Sequence, residues 1–336
     1  MVSMLKLLAL TLLVGSNNSY WGYTYLAEGN NKIYALRSLE PTSSLCTFDA
    51  AALVGQEGVI ELASLQIPMK ESVTSGAHSC HITLLSREAV VADYTSGTLS
   101  LFPLDKDGNV EGEPRLLRFE GQGVHSTRQE GPHIHSSALS PDGKMLAVVD
   151  LGTDKIYRFA VENGRLVVPQ LSYVSLPAGC GPRFSVFSND GSYLYVVTEL
   201  SDEVLVYRTS DFSLQDRCSL SGDISEGGAH IALSADGRYL YASQRVSSAG
   251  REKECKTSDG VAIYKCLANG KLKKLQYLPT GGHPRHFALS PDGKVLVVAC
   301  RDSNTVEIFP LNKKSGLPTG DVEKISVSEP VCIGFR

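Results

Sequence analysis

The 336-residue chain has one tryptophan and four methionines, and it has no marked excess of either charge: 32 Lys and Arg stand against 36 Asp and Glu, a formal net charge of −4. That balance excludes the broad basic face that nucleic-acid binding requires. No apolar stretch is long enough to cross a bilayer; the run Leu7 to Val14 falls well short. The eight cysteines form no C-x-x-C and no zinc-finger spacing. Composition shows no low-complexity bias, with 31 Gly and 15 Pro spread along an ordinary globular sequence. Helical periodicity is missing too: no amphipathic pattern of period 3.6 lasts 11 residues in the repeating segments described next.

What the chain does have is a turn, Ser-x-Asp-Gly, used four times: Ser140 to Gly143, Ser188 to Gly191, Ser234 to Gly237 and Ser290 to Gly293. The intervals are 48, 46 and 56 residues, the longest containing a polar insert at Val246 to Ser258. Before each turn lies a short alternating run, as at His135 to Leu139. After it comes a β-rich run, as at Met145 to Asp150, then a third carrying an aromatic (Phe159, Tyr207, Tyr264, Phe309) and a weaker fourth. Asp-Gly between two apolar alternations is a strong hairpin signal. Four strands repeated about every 50 residues predict an all-β propeller with four antiparallel strands per blade, in one domain spanning residues 1–336. Weaker copies lie at His78 to Leu104, with turn Ser86-Arg87-Glu88 and aromatic Phe102, and at Tyr25 to Ala51, with turn Gly29-Asn30-Asn31. Six copies are visible. Strand-like ends at Leu5 to Ser19 and Val322 to Phe335 predict a seventh blade in which terminal strands close the ring and remove sheet edges; without that pairing the count is six.

Residues 1–16 read as a first strand, with a short secretory signal as the alternative, since Lys6 precedes the apolar run. The cysteines read as buried free thiols of a reducing compartment. Together these give a cytoplasmic protein, or an exported one if the signal reading holds.

The run Arg128-Gln129-Glu130-Gly131-Pro132-His133-Ile134-His135, followed by Ser-Pro-Asp-Gly and Val149-Asp150-Leu151-Gly152, resembles the lactonase family of seven-bladed β-propellers, which includes bacterial 6-phosphogluconolactonases and fungal carboxymuconate-cyclising enzymes. Cys80-His81, Gly181-Pro182-Arg183-Phe184 with Thr198-Glu199-Leu200, Ser243-Gln244-Arg245, His283-Pro284-Arg285-His286 and Pro330-Val331-Cys332 agree with that pattern. Ala229-His230 departs from the family's Ala-Glu and Asp93 from its Asn, and the chain has fewer residues before its first turn. The resemblance implies catalytic roles for His135, Arg183, Glu199 and Arg245.

In a propeller, residues just before a first strand or at the end of a second strand reach one mouth of the channel. That rule places His81, His133, His135, Arg183, Glu199, Arg245, Arg285 and His286 on one rim, where a ligand is expected. Lactone hydrolysis needs a base for water, positive charge at the carbonyl oxygen and an acid for the leaving ring oxygen. Glu199 or His135 is the candidate base, with an unperturbed histidine better matched to neutral pH. Arg183 and Arg245 are candidates for the carbonyl oxygen, and Arg285, His286 and Arg128 for a distal anion such as a 6-phosphate; His81 and His133 complete the substrate-binding set. Competing readings exist for each. His135 is a channel histidine bonded to backbone, or His133 and His135 bind a metal, although no carboxylate-rich set accompanies them. Arg183 and Glu199 form a structural ion pair. Arg285 and His286 pack the rim. Asp150 bonds turn backbone, and Val246 to Ser258 is a solvated loop. The expected partner is a small anionic sugar lactone, with no cofactor, no metal, no nucleic acid and no membrane. Three functions follow: 6-phosphogluconolactone hydrolysis in the pentose phosphate pathway; action on another sugar lactone or muconate cyclisation; or a non-enzymatic binding propeller. The sequence sets no oligomeric state.

Overall fold

The computed structural model describes residues 11–16, 23–29, 32–39, 42–49, 58–61, 70–168, 172–221, 226–246 and 259–335. Asn30 and Asn31 of the first expected turn, most of the insert Val246 to Ser258 and Cys255 lie outside them.

The recurring turn owes its residue types to one hydrogen-bond pattern. In Ser140-Pro141-Asp142-Gly143 the serine hydroxyl donates to Asp142 (2.6 Å) and accepts the Met145 N–H (2.9 Å), while Asp142 accepts the Lys144 N–H (3.1 Å). Gly143 closes the turn with its N–H on the Ser140 carbonyl, at φ +70°, where a side chain would be strained. Ser188, Ser234 and Ser290 repeat the serine–aspartate bond at 2.6–2.7 Å. The donated hydroxyl and N–H hold the Asp142 carboxyl below its ordinary range. Asp292 is brought to about 2, its slight burial being outweighed by the Lys294 ammonium and the Ser290 hydroxyl.

Each turn joins the first two strands of an antiparallel sheet, and six four-stranded sheets result, two of them carrying an extra two-residue strand. The third-strand aromatics Phe102, Phe159, Tyr207, Tyr264 and Phe309 are all buried. Fourth strands are short and alternate between half-buried and exposed positions, as in Ser172–Ser175 and Glu323–Ser326, which explains their faint sequence signal. A single turn of 3-10 helix, Arg301–Ser303, is the one helical element among the described residues.

The termini depart from the expected blade. Thr11–Ser16 pairs antiparallel with Pro330–Phe335, as the strand-like ends suggested, but the sheet has three strands, not four. Its other edge is Gly58–Glu61, parallel to Thr11–Ser16 and inserted between the third and fourth strands of the first blade. One short N-terminal strand leaves a free edge on this sheet, and the insertion fills it.

The chain divides into two compact units: Tyr20–Gly55 with Ala63–Ser185, and Met1–Ser19 with Gln56–Leu62 and Val186–Arg336. In the first, blades one and two share a core of Tyr34, Leu36, Leu45, Ile82, Val91 and Phe102, and blades two and three a core that includes Leu99, Phe119, Leu146 and Phe159. In the second, Tyr241, Ile263, Phe287 and Val298 pack blades five and six, and Val297, Ile308 and Ile333 pack blade six on the terminal sheet. Each such side chain removed from water contributes about 1.5–3 kcal/mol. Cohesion in each unit is therefore between neighbouring blades, and the loops above them are free to carry chemistry. Of the eight cysteines, seven are free thiols among the described residues, and burial pushes Cys46 and Cys300 up to about 12.

Candidate active site

Several first strands begin with a β-bulge. Ser79 faces Asp93 and His81 faces Ala92, leaving Cys80 as the extra residue; His135 is extra between Ile134 and Ser136, and Arg285 between Pro284 and His286. A bulge bends the strand and re-aims one side chain. The residue before the strand is in the left-handed region in several blades: His78, Gly181, His283 and Glu329. Its carbonyl accepts an N–H from the residue just past the second strand: Tyr94 to His78, Leu151 to His133, Arg245 to Gly227, Arg301 to His283, at 2.9–3.2 Å. Two chemically varied positions, one on the bulge and one past the second strand, are thus clamped side by side in each of these blades.

In the first unit these positions build an aromatic and histidine cluster. Tyr94 stacks on His133 (4.5 Å, 13°) and presents its ring to His135 at 5.5 Å and 76°. Phe184 lies 5.4 Å from His135 and 5.2 Å from His81, and Tyr25 lies 4.5 Å from His81. The Arg183 guanidinium sits over the Phe184 ring at 5.2 Å, within cation–π range. His81, His133, His135 and Arg183 are buried. His133 is tied at both nitrogens, Nδ1 to the Tyr94 carbonyl (3.0 Å) and Nε2 to Glu130 (3.2 Å), and its backbone N–H goes to Asp150 (2.8 Å). Glu130 is held below its ordinary range by its own backbone N–H first and then by the His133 ring and Arg128. Asp150 also accepts Gly152 N–H and the Thr153 hydroxyl, so it bonds turn backbone as its position suggested, while burial raises its pKa. A side chain on Gly152 would collide with the Gly131 carbonyl, which fixes that glycine. Arg128 donates to the Tyr94 hydroxyl (3.2 Å). Beside it, buried Gln129 organises the loop, accepting the Val124 and His125 N–H groups and donating to the Leu151 carbonyl. His81 Nδ1 accepts the Ser137 N–H of the next blade at 3.4 Å, which leaves Nε2 to carry its proton when neutral.

In the second unit Arg245 and Glu199 form a buried ion pair at 2.9 Å. Arg245 also donates to the Gly227 and Gly228 carbonyls (3.2 and 3.3 Å), so backbone holds the guanidinium in place. Gly227 N–H in turn bonds the Glu199 carbonyl (2.8 Å). His230 packs on His286 at 3.9 Å and edge-on to Phe287 at 4.9 Å. His286 Nδ1 accepts the Ile333 N–H of the terminal sheet (3.3 Å), the same strand-to-strand bond that His81 makes. Arg285, on its bulge, is half-buried.

Cys80, Tyr94, Phe184, Tyr25 and His230 were not among the residues singled out from sequence as candidates. A signal for Tyr94 existed: it stands one residue past its second strand, where Glu199 and Arg245 stand in theirs. Among the described residues no group of three His, Cys, Asp or Glu side chains is placed to hold a metal ion.

Residues 17–335 match the model of the family described as Lactonase, 7-bladed beta-propeller. A 6-phosphogluconolactonase of Formosa agariphila is 31% identical over 261 residues, covering 74% of this chain and 70% of its own length. That of Bacillus subtilis is 28% identical over 278 residues, 80% of this chain and 76% of the relative. The crystal structure of a candidate 6-phosphogluconolactonase from Bacteroides fragilis superimposes with a TM-score of 0.83 at 29% identity, covering 97% of this chain and 98% of that one.

Proposed function

Because the chain belongs to the lactonase family of seven-bladed β-propellers, we propose that it hydrolyses 6-phosphoglucono-1,5-lactone to 6-phosphogluconate, the lactone-opening step of the pentose phosphate pathway. The observation that carries this reading is a buried imidazole, His135, displayed on a bulge between aromatic rings, in a chain whose curated relatives include two 6-phosphogluconolactonases. His135 takes a proton from water as the oxygen adds to the lactone carbonyl. Arg183 and Arg245 stabilise the oxyanion. As the C–O ring bond breaks, the imidazolium returns the proton to the departing ring oxygen, and the new carboxyl group releases its own proton to solvent. Glu199, bound to Arg245, orients that guanidinium, which leaves His135 as the base. Arg128, Arg285 and His286 take the phosphate, and His81 and His133 shape the sugar site. The three-stranded terminal sheet counts as the seventh blade. The expected compartment is the cytoplasm; no helix of the described residues is long and apolar enough to cross a membrane.

A second reading, another anionic sugar lactone, is favoured by one observation: His230 stands where the family pattern has glutamate, and it packs on His286. Direct assay of lactone hydrolysis with and without the 6-phosphate separates the two. A preference for the phosphorylated lactone, lost as a raised KM in Arg285→Ala, is expected; equal rates on both lactones favour the second reading, and no rate above spontaneous hydrolysis on either sinks both.

A further inference from the structure

Cys80 occupies in its blade the place that His135 occupies in the next: each is the extra residue of the bulge that opens a first strand. The two meet across the blade boundary. Cys80 Sγ lies 3.2 Å from the His135 carbonyl oxygen and 3.8 Å from His135 Nδ1, with the Ile134 carbonyl also at 3.8 Å. Cys80 is half-buried, and His135 is buried between the Tyr94 and Phe184 rings.

A thiol has one proton to give and lone pairs to receive with. The short contact to the His135 carbonyl takes the S–H, since a carbonyl can only accept. The sulfur then meets Nδ1 as an acceptor, and Nδ1 meets it as an N–H. A neutral imidazole that carries its proton on Nδ1 has its lone pair on Nε2, at the opposite side of the ring. We propose that Cys80 is a positioning residue that holds His135 in the Nδ1–H tautomer, so that Nε2 is the nitrogen that takes the proton from water. The inference rests on the proton-transfer role given to His135 above. Sulfur is a soft, weak acceptor, so Cys80 biases the tautomer and the ring angle but bears no charge that would trap the imidazolium. It is also small and neutral, unlike the aspartate that performs this duty in serine hydrolases, and it fits a cluster whose walls are rings.

Nitrogen-15 NMR of the imidazoles in the whole protein, at a pH where His135 is neutral, reads the tautomer without any substitution: the expected spectrum has His135 protonated on Nδ1, and protonation on Nε2 overturns the proposal. Cys80→Val removes the acceptor and keeps an apolar side chain. It is expected to lower kcat about tenfold, part of the 10²–10⁴ that positioned proton transfer contributes, with KM unchanged and the tautomer moved toward Nε2–H. Cys80→Ser, which retains an acceptor, is expected to keep kcat within about threefold of wild type. Should Cys80→Val fold poorly, Cys80→Ala makes the same test. A Cys80→Val enzyme with wild-type kcat, beside an inactive His135→Ala enzyme, overturns the positioning role alone. Wild-type activity in His135→Ala overturns the base assignment, and the inference with it.

Discussion

In the first unit His135 lies against rings: Tyr94 edge-on at 5.5 Å and Phe184 at 5.4 Å, with His133 stacked on Tyr94. In the second, Arg245 is surrounded by oxygens: the Glu199 carboxylate at 2.9 Å and two backbone carbonyls. Both side chains come from the same two positions of a repeated blade, yet one environment suits a group that must gain and lose a proton, and the other a charge that must stay put. Rings wall the imidazole with apolar surface. A buried guanidinium needs its counter-charge and its acceptors, because desolvating it alone costs several kcal/mol.

The contrast is sharpest in what removal does. His135→Ala is expected to lower kcat by 10²–10⁴-fold; kcat near wild type would remove His135 from the mechanism. Arg245→Ala is expected to cost roughly 3–5 kcal/mol of folding stability in denaturant, since it strands the Glu199 carboxylate, and the double variant Glu199→Gln/Arg245→Met should recover a large part of that loss. If the single and double variants unfold alike, the pair contributes nothing beyond packing.

Smaller in size but opposite in sign is Asp93. Burial raises its carboxyl to about 6, against the hydroxyls of Ser79, Ser100 and Thr98 that hold it down. The folded state therefore binds this proton more tightly than the unfolded chain. The stability that it contributes is present below about pH 4 and is lost as pH rises to about 6, roughly 3 kcal/mol in all. Asp93→Asn lacks that slope, so relative to wild type it should gain about that amount between pH 4 and pH 7; a pH-independent difference would show that Asp93 ionises at its ordinary value. The smallest effect is expected from Tyr94→Phe, which removes the hydroxyl that Arg128 donates to but keeps the ring against His133 and His135. KM should rise a few-fold, in line with about 1 kcal/mol for one hydrogen bond, with kcat unchanged.

Much of the architecture was legible in advance because it is local and repeated. Ser140 and Asp142 close the turn with side-chain bonds and Gly143 takes a positive φ, and the same three residue types recur at three later turns. The family resemblance read from Arg128 to His135 holds, as the match over 17–335 establishes. The terminal sheet was only half legible. Pro330–Phe335 and Thr11–Ser16 look like strands, but Gly58–Glu61 is four residues long, and its parallel pairing depends on a partner more than forty residues away. Within the candidate site, ionisable side chains announced themselves and their aromatic walls did not. Phe184 and Tyr25 read as ordinary strand residues, and only the fold brings their rings to within 6.3 Å of each other. Cys80 reads from sequence as one more buried thiol, because a contact across a blade boundary, 55 residues apart in sequence, leaves no periodic trace.

The bulge at the head of the first strand also separates two kinds of evolutionary change. Below it, every residue of the strand is committed to a register, and slipping by one would turn the core face outward. The extra residue has no partner across the ladder, so its identity is not constrained by pairing: here the same place holds cysteine in blade two, histidine in blade three and arginine in blade six. A fold built this way can exchange the chemistry at its bulges one blade at a time while the sheets beneath keep their sequence rules, and a library confined to those few positions would sample new substrates at little risk to folding.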